Sequence, residues 1–220
     1  QRPSKVIYDR TDSSVSMTRT DQYAWEDVFT NADWFHITGI TPALSEIAAE
    51  AAYHAVQAAK KAGLIVSCDL NFRKKLWRWK SDVSPKELAG QTMRQLLSYV
   101  DVVIGNEEDA ADVLSIYAGD TDVYAGHLEI DKYPKVAEKI IEQFPNVSKV
   151  AITLRQSLSA SSNNWGAMLY DHDKNQAFFA PVYHGKYQPY AINNIVDRVG
   201  GGDAFGAGLI YALNSVTYAD

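Results

Sequence analysis

Short apolar segments that alternate with long helical patterns are the feature that most restricts the fold of this chain. LIVSCDLN (64–71), DVVIG (101–105) and KVAITL (149–154) are short apolar runs, rich in β-branched residues, with the length of buried strands. Helical patterns of ten or more residues separate them. This alternation predicts parallel βαβ units with helices on both faces of one sheet, which is an α/β fold.

Helix signals and strand signals support this assignment along the chain. Helices are predicted over 43–63, 85–99, 106–118 and 133–144, the first of them alanine-rich and followed by Gly63. WGAMLYD and QAFFAPV, joined by the polar turn HDKN, predict a hairpin of two strands. Near the start of the chain, residues 4–17 alternate apolar and polar side chains in places and predict one or two short strands.

Composition narrows the classes of function. A chain of 220 residues suffices for one sizeable domain, and its net charge of −6 argues against nucleic acid or an anionic membrane as partner. No apolar run reaches membrane-spanning length. The single cysteine, Cys68, lies inside a predicted buried strand, so a disulfide framework is excluded and a reducing, cytoplasmic location is predicted.

A glycine-rich loop, DRVGGGDAFGAG (197–208), precedes the last predicted helix. It matches neither the dinucleotide-binding pattern G-x-G-x-x-G nor the P-loop pattern. Three adjacent glycines leave the backbone amides bare at a helix N-terminus, where unpaired N–H groups and the helix dipole attract an anion. Asp203, directly after the glycines, has two interpretations that the residues alone leave open: an acid that stabilises the helix dipole, or a general base beside a transferring phosphoryl group.

The loop resembles the D-x-x-G-A-G-D-x-F-x-x-G signature of the ribokinase-like (pfkB) sugar kinases, with Gly201 in place of the usual alanine. The resemblance implies that the amides of Gly200, Gly201 and Gly202 bind the phosphoryl group, with Gly200 and Gly202 also contacting the nucleotide. It implies that Asp203 deprotonates the accepting hydroxyl. It also implies a three-layer α/β/α sandwich with a mostly parallel central sheet and a small β lid.

Two further segments carry this resemblance at predicted strand ends. NEED (106–109) resembles the family's N-x-x-E motif, with the shorter Asp109 in the glutamate position; the family organises magnesium and phosphate through water there, so Asn106 and Asp109 are implied to act in this way. A cluster of acids in the first turn of a helix is the alternative. DLNFR (69–73) resembles the D-x-N-x-R segment of fructokinase-like and 2-keto-3-deoxygluconate kinase-like members, which makes Arg73 a candidate substrate contact. Lys74, Lys75 and Arg78 are interpreted as solvated charges.

The substrate class depends on the start of the chain. Tyr8 and Arg10 match the spacing of a Tyr-x-Arg that contacts the sugar acid in 2-keto-3-deoxygluconate kinases, and arginine binds a carboxylate through two parallel hydrogen bonds. Two surface residues of a strand are the alternative. WFHITGITPALS (34–45) resembles the same kinases and implies that Gly39 and Ile40 line the sugar pocket. His36 is interpreted as a hydrogen-bonded strand histidine rather than a catalyst.

The remaining match, ITLRQSLSAS, falls at the family's nucleotide loop and implies that Thr153 and Arg155 reach ATP phosphates. The family's opening βαβ and last helices have no counterpart here, so the chain is expected to be incomplete at both ends, with 1–18 part of the lid and 19–220 a truncated kinase domain. The expected activity is ATP-dependent phosphorylation of 2-keto-3-deoxygluconate at O6, with Mg²⁺ and, as a further candidate, a monovalent cation. Another sugar kinase, fructokinase-like for example, or a non-catalytic binding module are the alternatives, and a homo-oligomer formed through the lid is expected.

Overall fold

The structure is a computed structural model and describes residues 9–117, 130–159, 161–197 and 199–215. Within these ranges the helices are α1 (Ser14–Met17), α2 (Trp25–Val28), α3 (Ile40–Ala43), α4 (Glu46–Lys61), α5 (Pro85–Leu97), α6 (Glu107–Leu114), α7 (Tyr133–Gln143) and α8 (Gly201–Asn214). The strands are β1 (Trp34–Thr38), β2 (Ile65–Asp69), β3 (Val102–Gly105), β4 (Lys149–Ser159), β5 (Ser162–Asp171), β6 (Gln176–Ala180), β7 (Val182–Tyr183), β8 (Lys186–Tyr187) and β9 (Tyr190–Asn193). Single 3₁₀ turns lie at Thr20–Gln22 and Ile130–Lys132.

The central sheet is parallel on one side and antiparallel on the other. Strands β1, β2, β3 and β4 pair in parallel in that order. Strand β5 then pairs antiparallel with β4, and along its other edge with both β6 and β9. Strands β7 and β8 form a small separate antiparallel ribbon. The parallel half and the hairpin of β5 and β6 confirm the α/β fold predicted from the sequence.

The longest helix shows why the sequence folds as predicted. The Ser45 hydroxyl accepts a hydrogen bond from the Ala48 N–H at 3.0 Å and so caps the first turn of α4. Alanines form most of the buried face of this helix, which lets it pack closely on the sheet. After the last turn Gly63 has φ +84°, a conformation that glycine adopts without strain.

Apolar side chains cover both faces of the sheet. On one face α4, α5, α6 and α7 pack on β2, β3 and β4 to form the main core, which includes the fully buried Trp77, Met93 and Leu154. On the other face Phe205 and its neighbours on α8 contact a smaller cluster around Ile104. Each large side chain buried in this way stabilises the fold by about 1.5–3 kcal/mol. Helices therefore lie on both faces, as predicted.

The strand prediction for residues 4–17 is wrong where the structure describes it. Ser14–Met17 form the helical turn α1, and residues 4–8 lie outside the described residues. The Ser16 hydroxyl donates to the Ser13 carbonyl at 2.8 Å, and local bonds of this kind compete with strand pairing. The Ser45 hydroxyl donates to the Ser16 carbonyl at 2.6 Å and ties α1 to the start of α4. The proposed lid boundary at residue 18 stays a prediction.

Candidate active site

An open cleft of about 660 Å³ lies at the carboxyl ends of the parallel strands, beside the N-terminus of α8. In open α/β sheets this edge is the one that holds ligands. Of the predicted site residues that the structure describes, Gly39 is not among the lining residues, and the following line the cleft: Arg10, Ile40, Arg73, Asn106, Asp109, Thr153, Arg155, Gly200, Gly201, Gly202 and Asp203. Tyr8 lies outside the described residues.

The glycine loop presents unpaired backbone amides to this cleft. Gly200 has φ +79°, and the first hydrogen bond of α8 runs from the Ala204 N–H to the Gly200 carbonyl at 2.8 Å. The amides of Gly201, Gly202 and Asp203 precede that bond, at the positive end of the helix dipole. A Cβ atom added at Gly201 or Gly202 would meet no described atom within 4 Å. Packing against the described residues therefore does not explain these two glycines, and their amides have room for the close approach of an anion.

Asp203 lies in the first turn of α8 and is exposed on the cleft side. An acid in this position stabilises the helix dipole, so that interpretation remains valid. The carboxylate also follows directly on the bare amides of the glycine loop. Burial lowers the pKa of His36, and the negative charge of Asp203 opposes this; burial is also the main cause of the raised pKa of Asp69, to which Asp203 adds the last contribution.

Asn106 and Asp109 cap the start of α6. The Asn106 carbonyl oxygen Oδ1 accepts from the Asp109 N–H at 2.8 Å, and Asp109 Oδ2 accepts from the Asn106 N–H at 3.2 Å. Asp109 Oδ1 also accepts from the Phe72 N–H at 3.0 Å. Burial raises the pKa of Asp109, and these backbone hydrogen bonds oppose the rise. The two side chains therefore form a capping box, in agreement with the structural alternative of acids in the first turn of a helix.

The side-chain oxygen atoms of Asn106 and Asp109 can accept further hydrogen bonds beside those that cap the helix. A carboxylate has about four acceptor positions and an amide oxygen two, so both side chains can still accept from metal-bound water. Oxygen ligands and retained water suit Mg²⁺. Among the described residues no group of three or more histidines, cysteines, aspartates or glutamates is arranged to hold a metal directly. The pair fits an indirect role beside a magnesium ion.

Asp69, at the end of β2, is a cleft residue that the sequence reasoning missed as a candidate. Its Oδ1 accepts from the Asn71 N–H at 3.1 Å, which fixes the turn that leads to Arg73. Burial, with the negative charge of Asp109 next in size, raises the pKa of Asp69 to about 6, and Arg73 opposes the rise. The first position of the D-x-N-x-R segment was the signal that could have identified it.

The junction between β1 and α3 brings Ile40 to the same place. The Gly39 N–H donates to the Asp69 carbonyl at 2.8 Å. A Cβ atom at Gly39 would lie 2.1 Å from the Leu70 carbonyl oxygen, so no other residue fits. Nearby, the Asn71 side chain donates to Thr38 Oγ1 at 3.3 Å and links the two strand ends. The substrate candidates Ile40 and Arg73 are thus held by one junction.

The segment that resembles the family's nucleotide loop belongs mostly to a strand. Thr153 and Arg155 belong to β4, which continues to Ser159 and pairs with β5. Thr153 falls in the strand predicted over 149–154, which continues in the structure through Arg155, and both residues line the cleft. Arg155 is paired in register with Trp165, whose ring meets Phe205 of α8 edge-on at 5.3 Å between centroids. Trp165 also lines the cleft, and sequence reasoning did not single it out.

His36 lies on β1 with its ring hydrogen-bonded, in agreement with the strand-histidine interpretation. Its Nδ1 lies 2.8 Å from Ser67 Oγ. Burial lowers the pKa of His36, and the charge of Asp203 opposes this. The three cations interpreted as solvated, Lys74, Lys75 and Arg78, are exposed. No helix in the described part of the chain has the length and apolar character needed to cross a bilayer.

Comparison with known proteins gives a consistent result. The profile of the pfkB family carbohydrate kinases matches residues 3–216. The crystal structure of a 2-dehydro-3-deoxygluconokinase from Thermotoga maritima superposes with a TM-score of 0.81 at 39% identity, over 97% of this chain and 58% of that one.

Curated relatives match over shorter stretches. A 2-dehydro-3-deoxygalactonokinase of Haloferax volcanii is 39% identical over 130 residues, which is 59% of this chain and 38% of the relative. A 2-dehydro-3-deoxygluconokinase of Bacillus subtilis is 38% identical over 73 residues, 33% of this chain and 22% of the relative. The chain thus spans well under two thirds of the proteins it matches. Because the family profile covers nearly all of its length and the cleft holds the matching motifs, the chain belongs to the pfkB family of carbohydrate kinases.

Proposed function

We propose that this protein is an ATP-dependent kinase that phosphorylates a 2-keto-3-deoxy sugar acid, 2-keto-3-deoxygluconate, at its O6 hydroxyl. One observation carries the proposal. A single cleft is lined by a glycine-rich helix N-terminus, an acid in its first turn and arginines beyond it. These groups answer the three needs of such a reaction, which are an anion site, a base and a cationic clamp for a carboxylate.

The proposed reaction gives two roles to residues of this chain, a base and an anion site. The Asp203 carboxylate accepts the proton of the sugar hydroxyl as the oxygen bonds to the terminal phosphorus of ATP. The bond from that phosphorus to the bridging oxygen breaks, and ADP leaves with the electron pair. The amides of Gly201 and Gly202 donate to the oxygens of the transferred group and stabilise the charge spread over them. Positioning and electrostatics of this kind supply most of the catalysis in phosphoryl transfer.

Two arginines support an acidic rather than a neutral sugar. Arg10 and Arg73 both line the cleft of a protein that is negatively charged overall. A guanidinium binds a carboxylate through two parallel hydrogen bonds, which a neutral hexose cannot reciprocate. The Thermotoga and Bacillus relatives are named for the same class of sugar acid. Tyr8 remains part of this proposal through its spacing from Arg10.

ATP and magnesium are proposed as cofactors. Thr153 and Arg155, on β4, are assigned to the ATP phosphates, and water bound to magnesium is assigned to Asn106 and Asp109. Magnesium bound with ATP neutralises phosphate charge. A monovalent cation, a homo-oligomer formed through the lid and a cytoplasmic location remain predictions.

The C4 epimer, 2-keto-3-deoxygalactonate, is a second candidate substrate. It is favoured by the name of the Haloferax relative, which matches the longest stretch of this chain among the curated relatives described above. The two acids share the carboxylate and the terminal hydroxyl, so the same arginines and the same base would serve both. Fructokinase-like activity and a binding module without chemistry are the remaining alternatives.

A coupled assay of ADP release by the full-length protein tests the proposal. Both epimeric sugar acids, fructose and ribose are compared at equal concentration, and the highest kcat/KM is expected for a sugar acid. Asp203→Asn should lower kcat by roughly 10²–10⁴-fold because the base is lost. Asp82→Asn, which removes an exposed acid outside the cleft, is the control and should leave kcat unchanged. Unaltered turnover in Asp203→Asn would contradict the assignment of Asp203 as the base. A higher kcat/KM for fructose or ribose would contradict the assignment of a sugar acid as substrate.

A further inference from the structure

Arg155, Trp165 and Tyr190 form a row across three neighbouring strands. Arg155 of β4 pairs in register with Trp165 of β5, and Trp165 pairs in register with Tyr190 of β9. Side chains directly opposite each other in an antiparallel sheet lie on the same face. The row therefore places a guanidinium and two aromatic rings side by side on one face of the sheet.

This row lies on the face of the sheet that carries the glycine loop. The Trp165 ring meets the Phe205 ring of α8 edge-on at 5.3 Å between centroids. Phe205 follows Gly202 by three residues, which correspond to a rise of about 4.5 Å along the helix. Trp165 and Arg155 also line the same cleft as Gly202. The indole therefore lies beside the first turns of α8, close to the bare amides.

The order of the strands separates Trp165 from the sugar candidates. Ile40 and Arg73 follow β1 and β2, at one end of the cleft, whereas Trp165 belongs to β5. Strands β3 and β4 lie between β2 and β5, so three strand spacings separate the two, about 14 Å and longer than a six-carbon sugar acid. Helix α8 packs on Ile104 of β3 and Ala151 of β4, between the two ends. Trp165 therefore borders a different part of the cleft from Arg73.

The groups at this end of the cleft match the two parts of a nucleotide. An indole offers a flat apolar face on which a base can stack. The neighbouring Arg155 is exposed and supplies a positive charge for phosphates. The edge-on contact with Phe205 fixes the plane of the indole before a ligand binds, which lowers the entropy cost of stacking. Packing on α8 alone does not require the ring at the cleft surface, where Trp165 is only half-buried.

We propose that Trp165 stacks on the base of the nucleotide, which lies along Trp165 and Arg155 with its terminal phosphate at the amides of the glycine loop. Stacking recognises a flat ring rather than a pattern of hydrogen bonds, so this contact accepts adenine and guanine alike. The inference rests on the proposed function, because it takes a nucleoside triphosphate as the phosphoryl donor.

The first test measures tryptophan fluorescence and needs no turnover. Of the five tryptophans in the sequence, all of them described by the structure, Trp165 is the one that lines the cleft. ADP with magnesium, added to the full-length protein, should quench this fluorescence because the base stacks on the indole. Trp165→Phe should abolish the quenching, and Trp25→Phe, which changes a tryptophan outside the cleft, should retain it. Quenching that is unchanged in Trp165→Phe, or that tripolyphosphate produces without a base, would overturn the proposal.

The second test compares affinities by isothermal titration calorimetry. Trp165→Leu removes the aromatic face but keeps an apolar side chain beside Phe205, and it should raise the Kd of both ADP and GDP by roughly 5–100-fold. The Kd of tripolyphosphate and the KM of the sugar acid should stay the same, since neither ligand has a base. An equal loss of affinity for tripolyphosphate would indicate a change in packing and would contradict stacking. The variant is first shown to be folded by thermal melting, and if it does not fold, the fluorescence of Trp165→Phe decides the result.

The outcomes separate this inference from the proposed function. If a sugar acid is the preferred substrate and Asp203→Asn is inactive, while Trp165→Leu binds ADP as tightly as the wild type, the proposal for Trp165 is wrong and the function stands. If ADP quenches Trp165 but no sugar acid is phosphorylated, the proposal for Trp165 stands and the substrate assignment fails. Quenching of Trp165 by the sugar acid without nucleotide would put the sugar at this end of the cleft and would overturn the proposal.

Discussion

The Asp69 carboxyl is expected to lower the stability of the folded protein at neutral pH. Burial and the nearby charge of Asp109 raise its pKa from the ordinary 3.8 to about 6. An acid with a higher pKa in the folded state binds its proton more tightly when folded. Its contribution to stability is therefore fully present below the unfolded pKa and is lost as the pH rises through the folded one.

The magnitude follows from the two pKa values. One unit of difference corresponds to about 1.4 kcal/mol, so a rise from 3.8 to about 6 corresponds to at most about 3 kcal/mol. Asp69 is partly open to the cleft, and solvent screening reduces the expected effect to about 1–2 kcal/mol. Asp69→Asn removes the charge but keeps an Oδ1 atom that can accept from the Asn71 N–H.

Urea unfolding, followed by tryptophan fluorescence at a series of pH values, measures this effect. Asp69→Asn should raise the free energy of unfolding by about 1–2 kcal/mol near pH 7.5, and the gain should disappear near pH 3.5. Asp82→Asn, an exposed acid outside the cleft, is the control for the loss of one negative charge. An equal change at both pH values, or no gain at pH 7.5, would refute the reasoning. A gain in stability combined with lower kcat/KM would mark Asp69 as a residue kept for function.

Two further predictions concern the substrate side of the cleft. Arg10→Ala should raise the KM for the sugar acid by roughly 10–100-fold in the coupled assay because a charge-assisted contact is lost. Arg19→Ala, which changes an exposed arginine that pairs with Asp21, is the control and should leave this KM unchanged. Equal KM values in the two variants would contradict the contact between Arg10 and the carboxylate. Gly39→Ala should destabilise the fold by about 3 kcal/mol in urea unfolding, since its Cβ would overlap the Leu70 carbonyl, while Gly208→Ala on α8 meets no described atom and should not destabilise it.

Local signals determined most of the fold that the sequence predicted correctly. The helices α4 and α5 have a serine cap, a helical pattern and a clear end, all visible in the sequence. The strands β2 and β3 are buried on both sides and so appear as continuous apolar runs. In these segments the local conformational preference of the sequence agrees with tertiary packing, so the sequence alone predicts the helices and strands.

The secondary structure that the sequence did not predict lies mainly in segments whose conformation depends on tertiary contacts. Strand β4 continues to Ser159 because β5 folds back along it, an arrangement that the polar sequence after Leu154 does not reveal. The strands β7, β8 and β9 are short and mostly exposed, so they lack the apolar alternation by which strands are predicted. Near the start of the chain, serine side chains bond to their own backbone, and Ser14–Met17 become helical.

The site itself was predictable as a set of residues but not as a set of contacts. Motif spacing identified the residues that line the cleft, because parallel strands place their carboxyl ends at one edge. Spacing could not show that Asn106 and Asp109 bond to each other, or that the partly buried Asp69 lies within the electrostatic influence of Asp109 and Asp203. It also could not show that the ring of His36 is bound through Ser67, since 31 residues separate the two in the chain.

The glycine loop shows how packing separates structural from functional glycines in this chain. Gly39 has a structural reason, since the Leu70 carbonyl fills the space of its Cβ, and Gly200 has a conformational one in its positive φ. Within the part of the chain that the structure describes, Gly201 and Gly202 have neither. Alanine at each would favour the helix by about 0.5–1 kcal/mol, so a chain under selection for stability alone would gain from it. Glycine at these two positions is best explained by a phosphoryl group that must approach their amides more closely than a Cβ permits, which is the step that the kinase proposal assigns to them.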